Sequence, residues 1–537
     1  MEQASRDRKA SSPSSDELIG LGAAELARRI ADGAVSSRDV VRVHIDHLQS
    51  VEGQLNAMVV NRPEQAMAAA AAADELQAEG AVLGPLHGVP VTVKDCFDVA
   101  GMPTTLGTPT LAKQVVEEDA LIVARLKRAG AILLGKTNVS QLMVYGETDN
   151  PHFGRTSNPW DLERTPGGSS GGEAALVSVG ASPLGMGSDL AGSIRVPCHF
   201  CGIHGFTPSR GLLPMQGVRR AFQGISAVAN VAGPMSLHVE DIVMCLNLLK
   251  RPAAGAVFAD GFQCPALRPE QVDVKKLRVA VWEDDGFFSP SPAIRRVTRE
   301  AADYLADAGA QIETFQPPAI SDVVTLFLSL LTGDGGANLV RFLNGDAMDP
   351  QLRQLHRAVT IPSWIRRPLR IAAKWSGSPW KAELLSALRV RSTDEYWRVT
   401  HQVEEYRRRF ASQWEAGRFD VAICPPFGLP PFPHGESVDG LLASSYAFLG
   451  NLMQIPAGVI AAGAVDPLEE FDSQAHRPLN ASAAELVELG SAGLPVGVQV
   501  LGPHCSDNVL LSVMQFLEQR FRQQPSYPGL SSGHLRK

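Results

Sequence analysis

Two glycine-rich clusters that carry serine lie close together in the first half of the chain. One is GGSSGG at residues 167–172, and the other is AGS at residues 191–193. Upstream of both, the β-branched run VPVTV leads directly into Lys94. A serine hydroxyl is a weak nucleophile until a neighbouring group takes its proton, and a lysine amine can be that group. Two serine loops and a lysine therefore form a candidate nucleophilic site.

The GGSSGG cluster by itself allows other interpretations. A flexible glycine–serine loop has the same composition. A phosphate-binding loop requires the ending GK[ST], which is absent here. Gly167, Ser169 and Gly171 fit the pattern G-x-S-x-G of a nucleophile elbow, but such an elbow follows an apolar strand. The preceding segment NPWDLERTP is polar and broken by proline, so the elbow interpretation fails on its context.

The composition is that of an ordinary globular protein. The chain has 537 residues, of which 45% are hydrophobic and 20% are charged. The net charge of -8, without a compensating basic block, argues against nucleic acid as a partner. The seven cysteines are unevenly spaced and do not form a disulfide framework. A polar N-terminus and the lack of an apolar run of about 20 residues predict a cytoplasmic protein, soluble or peripheral at the inner face of the membrane.

Helical and strand patterns alternate along most of the chain. This alternation predicts an α/β fold around a mostly parallel or mixed sheet. Residues 1–15 are expected to form a disordered tail, and residues 523–537 a shorter C-terminal tail. Between them we expect one domain, residues 16–522. A largely helical insertion at about residues 321–390 interrupts the alternation.

An ordered set of motifs carries a resemblance to a known family. The motifs are GPLHGVPVTVKD, LLGKTN, FGRTSNPW, PGGSSGG, GSDLAGSIRVP, FCGIHGFTPSRG and GLPVGVQVLG. As an ordered set they are highly specific, and the chain resembles the amidase signature enzymes over nearly its whole length. The resemblance implies amide hydrolysis without a cofactor, on a central mixed, twisted β-sheet covered by helices on both faces. It also implies a catalytic core at about residues 85–240.

The resemblance gives each residue of the candidate site a role. It implies that Ser193 is the nucleophile, that Ser169 is a bridging serine preceded by a cis peptide bond, and that Lys94 is the base. A solvated lysine has a pKa near 10.4 and is almost fully protonated at pH 8. Burial in an apolar pocket lowers that pKa by several units and makes the amine a usable base. Ser169 would relay the proton between Ser193 and Lys94, and later to the departing amine.

The same resemblance implies an oxyanion hole made of backbone amides, each worth roughly 3–4 kcal/mol of the barrier. The expected donors are the amides of Leu190, Ala191, Gly192 and Ser193. The family usually has glycine at the position of Ala191. Alanine keeps the amide donor, but a positive φ at this position would strain it.

Other residues inside the motifs have a structural explanation. The run Cys198-x-x-Cys201-x-x-His204 has a spacing that zinc ligands can adopt. It directly follows the nucleophile loop, however, where the family packs FCG into its core. We therefore expect buried structural cysteines and no metal. The residues expected to be structural within the other motifs are Asp95, Lys136, Asp189 and Arg195.

The middle and the C-terminal third resemble the fatty acid amide hydrolases of this family. The matching segments are IPSWIRRPLRIAAKW, SSYAFLGNLMQIPAGV and EEYRRRFASQWEAGRFDVAICPPF. The resemblance implies a long-chain fatty acid amide as the small-molecule substrate, and a homodimer. We expect Met143, Val144 and Ser170 to contact this substrate. In contrast to the animal enzymes, we expect no N-terminal spanning helix.

Three alternative functions fit the same catalytic core. A broad-specificity amidase would cleave aryl amides, carbamates or esters. An amidotransferase subunit would feed ammonia to a partner during transfer-RNA amidation, but this function does not explain the cationic, tryptophan-rich insertion. A catalytically silent lipid-binding protein is the third alternative, and the complete set of Lys94, Ser169 and Ser193 argues against it.

The insertion contains a candidate membrane-binding helix in the segment IPSWIRRPLRIAAKW. Helical spacing places Trp364, Ile365 and Leu369 on one face, and Arg366, Arg367 and Arg370 on the other sides. A basic surface beside an apolar, tryptophan-bearing face is typical of an interfacial helix, and the segment matches the membrane cap of the resembled family. An amphipathic helix packed on its own core has the same pattern. Pro368 could also divide the helix into two short pieces.

Overall fold

The computed structural model describes most of the chain. The described residues are 15–228, 230–250, 266–375, 379–475, 477 and 487–531. Almost all of the predicted N-terminal tail lies outside the described residues, and so do residues 532–537 of the predicted C-terminal tail. Among the helices of these described segments, none is both long and apolar enough to cross a bilayer.

Eleven strands of the described residues form one sheet. They are β1 (Met58–Asn61), β2 (Pro90–Lys94), β3 (Ile132–Thr137), β4 (Gly185–Asp189), β5 (His204–Thr207), β6 (Val231–Ser236), β7 (Arg278–Val281), β8 (Gln311–Thr314), β9 (Val421–Cys424), β10 (Ala457–Ala464) and β11 (Pro495–Leu501).

The α-helices connect and cover these strands. They are α1 (Ser15–Leu18), α2 (Ala23–Ala31), α3 (Ser37–Leu55), α4 (Pro63–Ala78), α5 (Pro109–Ala112), α6 (Leu121–Arg128), α7 (Gly171–Ser178), α8 (Arg195–Cys201), α9 (Val239–Leu249), α10 (Pro292–Ala308), α11 (Ile320–Leu331), α12 (Ala337–Leu343), α13 (Pro350–Thr360), α14 (Ser363–Trp375), α15 (Pro379–Ala387), α16 (Thr393–Gly417), α17 (Ser445–Met453) and α18 (Asp507–Phe521).

The sheet is mixed, which confirms the predicted fold class. Its strands follow the order β1-β3-β2-β4-β6-β5-β10-β11-β9-β7-β8. Strand β2 runs parallel to β3 and β4, and β7 runs parallel to β8 and β9. The remaining neighbours are antiparallel. Because β2 lies inside the sheet, all five of its residues are buried, including Lys94 at its end.

Helices cover both faces of the sheet, as predicted. Side chains alternate between the two faces along a strand, and β9 shows the consequence. Val421 and Ile423 belong to the core that includes α10 and α18. Ala422 and Cys424 belong to a second core, which includes α11, α16 and α17. A strand that is buried on both sides has no place for an exposed polar residue, so β9 is apolar throughout.

A group of helices, α11–α15, is inserted between β8 and β9 and is called the cap below (residues 320–387). It occupies the range in which the sequence predicts a helical insertion. Helix α11 packs on α16 and α17, and the rings of Phe327 and Phe448 stack with their centroids 4.3 Å apart. This stack joins the cap to the core that lies beside β9.

Helix α14 of the cap is a single helix, and one of its arginines differs from the expectation. It continues through Pro368 without a break. Arg366, expected on the membrane-binding surface, is buried instead. Its guanidinium donates to backbone carbonyls near the C-terminal ends of α13 and α15, which have no partner within their own helices. The acceptors include the carbonyls of Val359 (2.9 Å), Ile361 (2.9 Å), Leu385 (2.8 Å) and Leu388.

The chain stays packed beyond the predicted end of the domain at residue 522. Tyr527 lies within hydrogen-bond distance of His204, with 3.2 Å between Oη and Nε2. Ser531 is buried, and its hydroxyl donates to the carbonyl of Ser178 (3.1 Å). The part of the predicted tail that the structure describes, residues 523–531, is therefore folded against the protein.

The contacts of Arg366 predict that it stabilises the cap. Arg366→Met should lower the free energy of unfolding of the cap by about 1–3 kcal/mol, since buried carbonyls lose their donor. Limited proteolysis within residues 320–387 should then become faster than in the wild type. Arg367→Met is the matched control, because Arg367 is the exposed neighbour. Equal proteolysis rates for the two variants would contradict the anchoring role of Arg366.

Candidate active site

Lys94 and Ser169 are in direct contact at the end of β2. Nζ of Lys94 donates a hydrogen bond to Oγ of Ser169 at 2.8 Å. The same nitrogen donates to Oγ (3.1 Å) and to the carbonyl oxygen (3.2 Å) of Ser188, which lies on the neighbouring strand β4. The strand order thus brings the lysine, the GGSSGG loop and the strand before the second serine loop together.

The environment of Lys94 favours the neutral amine. The side chain is fully buried, and desolvation lowers its pKa from the ordinary value to about 8. Attraction by Asp189 and Glu173 opposes this shift without cancelling it. Burial in turn raises the pKa of Glu173 to about 8, and its carboxyl group accepts hydrogen bonds from the hydroxyls of Thr92 and Thr137. A substantial fraction of Lys94 is therefore neutral in mildly alkaline solution.

The turn that carries Ser169 is closely packed. The peptide bond between Gly168 and Ser169 is cis. Gly168 lies directly on the backbone of Glu147, so that a Cβ at this position would overlap the carbonyl group of Glu147. The next residue, Ser170, donates its amide to the carbonyl of Ser193 (3.2 Å), which ties the two serine loops to each other.

A buried ion pair shapes the loop that carries Ser193. The carboxylate of Asp189 accepts hydrogen bonds from the amides of Gly192 (2.9 Å) and Ile194 (3.0 Å). It also forms an ion pair with Arg195, in which Nη2 and Oδ1 are 3.0 Å apart. Burial alone would raise the pKa of Asp189, but Arg195 and the loop amides outweigh burial, and the pKa is lowered. Asp189 therefore remains ionised and holds the loop in one conformation.

Of the four amides expected to form an oxyanion hole, this geometry leaves three open to a ligand. The amide of Gly192 is already bonded to Asp189. In the described structure the amides of Leu190, Ala191 and Ser193 have no protein acceptor. The positive φ in this loop, 102°, falls on Gly192 and not on Ala191. Alanine at position 191 is thus free of the strain considered above, and its amide stays open to a ligand.

Ser193 opens into a cavity that we call the reaction chamber. Its walls include Met143, Val144, Gly168, Leu190, Ala191 and Ser193 itself. Met143 and Val144 therefore line the cavity beside Ser193, and their contact with a substrate stays a prediction. Ser170 does not line this cavity among the described residues; it is buried, and its hydroxyl donates to the carbonyl of Ser188 (3.3 Å). Ser170 therefore lies behind the wall of the chamber, where its hydroxyl contacts strand β4.

Glu147 is a residue of the site that the sequence does not indicate. Its buried carboxylate accepts hydrogen bonds from the amides of Gly435 (2.9 Å) and Ser437 (2.9 Å). It also accepts one from Nε2 of Gln351 in the cap helix α13 (3.0 Å). Since its backbone also packs under Gly168, Glu147 connects the serine turn, the cap and the chamber wall at Ser437. No local spacing marks Glu147, because its partners are distant in sequence.

A second cavity, the cap cavity, adjoins the reaction chamber. The two share walls formed by Val144, Ala191, Phe222, Leu331, Leu355, Leu441 and Phe448. Counted together with the open solvent at its mouth, the cap cavity has a volume of about 700 Å³. Its remaining walls come mainly from α11, the start of α12 and α13, so the cap provides the surface farthest from the serine loops.

The cysteine–histidine run behind Ser193 does not form a metal site. Both nitrogens of His204 have other neighbours: Nδ1 accepts from the amide of Ala461 (3.2 Å), and Nε2 lies near Tyr527 and Glu518. Cys198 and Cys201 are buried free thiols. Among the described residues, no group of three or more His, Cys, Asp and Glu side chains could hold a metal ion.

Comparisons with known proteins agree with this architecture. The family model Amidase matches residues 39–511. The chain is 32% identical over 526 residues to Fatty-acid amide hydrolase 1 of Sus scrofa, covering 95% of this chain and 88% of that protein. It is 32% identical over 524 residues to a Glutamyl-tRNA(Gln) amidotransferase subunit of Acidothermus cellulolyticus, covering 95% and 96%. A solved fatty acid amide hydrolase has the same fold, with a TM-score of 0.79 at 22% identity over 94% of this chain and 86% of that chain.

The lowered pKa of Lys94 predicts the pH dependence of activity. A base must be neutral to accept a proton, so kcat/KM should rise with pH through an inflection near 8 and level off above it. Lys94→Met should remove this inflection and lower kcat/KM by about 10²–10⁴-fold. Lys136→Met is the control, since Lys136 is also buried but pairs with Asp95 (2.7 Å), and it should keep the inflection. An unchanged inflection in Lys94→Met would exclude Lys94 as the base.

Proposed function

The chain belongs to the amidase family, and we propose that it hydrolyses long-chain fatty acid amides to the free acid and an amine or ammonia. The observation that carries the proposal is the apolar cap cavity adjoining the chamber at Ser193. Among their described lining residues, neither cavity has an aspartate, glutamate, lysine or arginine side chain. Walls of this kind favour a hydrocarbon chain, because the chain leaves water without burying a charge beside it.

In the proposed mechanism Oγ of Ser193 attacks the amide carbonyl carbon. Its proton passes to Ser169, whose own proton passes to the neutral amine of Lys94. The carbonyl oxygen becomes an oxyanion and accepts hydrogen bonds from the amides of Leu190, Ala191 and Ser193. The proton then returns through Ser169 to the nitrogen, the C–N bond breaks and the amine leaves. Water hydrolyses the acyl ester on Ser193 along the same proton path, which releases the acid.

Two features support long acyl chains over the alternative substrates. The cap cavity continues beyond the space that an acetyl or other short acyl group needs, and the cap forms its walls. The cap also exposes large apolar side chains, which a soluble small-amide substrate does not require. The similarity to an amidotransferase subunit makes ammonia transfer the second candidate. The homodimer implied by the resemblance stays a prediction.

The proposal can be tested on the purified protein alone. The substrates are acyl p-nitroanilides and unsubstituted amides whose acyl chains have two to eighteen carbons. We expect kcat/KM to rise with chain length by up to about fourfold per methylene, until the cap cavity is filled. Leu339→Trp, which narrows the cap cavity only, should lower the rates of long substrates and spare short ones.

Ser193→Ala should abolish hydrolysis and labelling by a fluorophosphonate, whereas Ser170→Ala should remain labelled. A rate that does not depend on chain length would point to a broad-specificity amidase. Activity that appears only with a partner protein would point to amidotransfer. Labelling of Ser169 in the wild type would contradict the proposed nucleophile.

We also propose that the cap docks on a membrane surface. Helix α14 exposes apolar side chains, with Trp364 76% and Trp375 88% accessible. Leu369 and Ile371 are exposed on the same helix. Arg367, Arg370 and Lys374 are exposed among them, whereas Ile365 is half-buried. Exposed tryptophans surrounded by cations are suited to the headgroup region of an anionic bilayer. Long-chain amides partition into such bilayers, so the proposed substrate and the proposed docking surface meet at the membrane.

Vesicle flotation tests this proposal. The wild type should float with vesicles that contain anionic lipid, and high salt should weaken the binding because it screens the cations. Trp364→Ser combined with Trp375→Ser should reduce binding at least tenfold and raise KM for long amides presented in vesicles. The control replaces Val82 and Leu468 by serine, since both are exposed apolar residues outside the cap. Equal binding of the two double variants would refute docking through α14.

A further inference from the structure

The cap cavity contains one open polar side chain within apolar walls. Two of its lining side chains, Thr332 and His356, carry polar atoms. The hydroxyl of Thr332 donates to the carbonyl of Leu328, one turn earlier in α11 (2.8 Å), so its proton is already used. The ring nitrogens of His356 have no hydrogen-bond partner among the described residues. The imidazole is therefore the side chain in this cavity that can still donate a hydrogen bond to a ligand, whereas Thr332 can only accept one.

His356 lies in the part of the cavity that belongs to the cap. It is on α13, and it lines the cap cavity but not the reaction chamber. Its ring packs against Gly336 at the start of α12, where a Cβ would lie 3.0 Å from Cδ2 of the imidazole. An acyl chain whose carbonyl carbon lies at Ser193 would therefore meet His356 along its tail and not at its amide end.

Contact with an unsubstituted hydrocarbon tail is unfavourable for this ring. A tail that covers the ring nitrogens would displace their water and offer no hydrogen bond in return, and an unsatisfied polar group is costly to cover. A hydroxyl or carbonyl group on the tail would restore the lost bond, because neutral imidazole both donates and accepts.

We propose that His356 is a specificity-determining residue and that the preferred acyl chains carry an oxygen function, a hydroxyl or a keto group, along the tail. The inference rests on the proposed function and specifies its substrate class. His356 is half-buried, so the discrimination against plain chains is on the order of tenfold and not the several thousandfold of a fully enclosed polar group.

The test compares octadecanamide with the amides of 2-, 10-, 12- and 18-hydroxyoctadecanoic acid. Among the 10-, 12- and 18-hydroxy isomers, which carry the hydroxyl on the tail, the wild type should prefer one. Its kcat/KM for that isomer should be about tenfold higher than for octadecanamide, mainly because KM is lower. His356→Leu should remove this preference and improve the hydrolysis of octadecanamide. His356→Gln, which keeps a donor and an acceptor, should retain part of it. Leu339→Met, a change of shape without a polar atom, should leave it unchanged.

Equal kcat/KM values for octadecanamide and all hydroxylated isomers would overturn this inference and leave the proposed function intact. A preference that persists in His356→Leu would also overturn it. Failure to hydrolyse any eighteen-carbon amide, with normal activity on short amides, would refute the proposed function together with the inference. The comparison of isomers uses the wild-type protein, so it does not depend on the folding of a variant.

Discussion

The exclusion of water from Lys94 is the constraint on which the catalytic half of the structure depends. An amine in water holds its proton far above neutral pH, and only a dry environment makes it a base. Strand β2 provides that environment because it lies inside the sheet with all its residues buried. Carboxylates close to the amine would restore its charge. Two carboxylates lie nearby. Arg195 pairs with Asp189 and offsets its charge, and burial raises the pKa of Glu173 to about 8, which favours its neutral form.

The ion pair of Asp189 and Arg195 fixes the conformation of the loop that carries Ser193. One carboxylate fixes the amides on both sides of Ser193, and the guanidinium extends the network to distant parts of the chain. Nη1 of Arg195 donates to Oε1 of Gln499 on β11 (2.8 Å), and Nη2 donates to Asn451 on α17. Residues from the last third of the sequence therefore stabilise the conformation of this loop. A lysine could not replace this arginine, because it lacks the planar fork that serves three acceptors.

The sequence predicts those features of the fold and the site that depend on residues close together in the chain. The α/β class, the mixed sheet and the family follow from ordered motifs and alternating patterns, and the loops of Ser169 and Ser193 are recognisable from their glycines. What it does not predict depends on partners that are distant in the chain. The periodicity of α14 places Arg366 among exposed cations, although carbonyls at the ends of two other helices draw it inward. Likewise, only the packed structure shows that Gly192 gives its amide to Asp189 and that Glu147 joins three segments.

The position of the cap between β8 and β9 has a consequence for how this protein can evolve. Both strands pair with β7. The strand order of the sheet is therefore the same whatever the length of the chain between β8 and β9. The cap contacts the segment that precedes the GGSSGG loop through hydrogen bonds, among them Gln351 with Glu147 and Gln141 with the carbonyl of Ala347. Under the proposed function, mutations, insertions or recombination within residues 320–387 would therefore alter the acyl group that is accepted, while Lys94, Ser169 and Ser193, all encoded before residue 200, would be inherited unchanged.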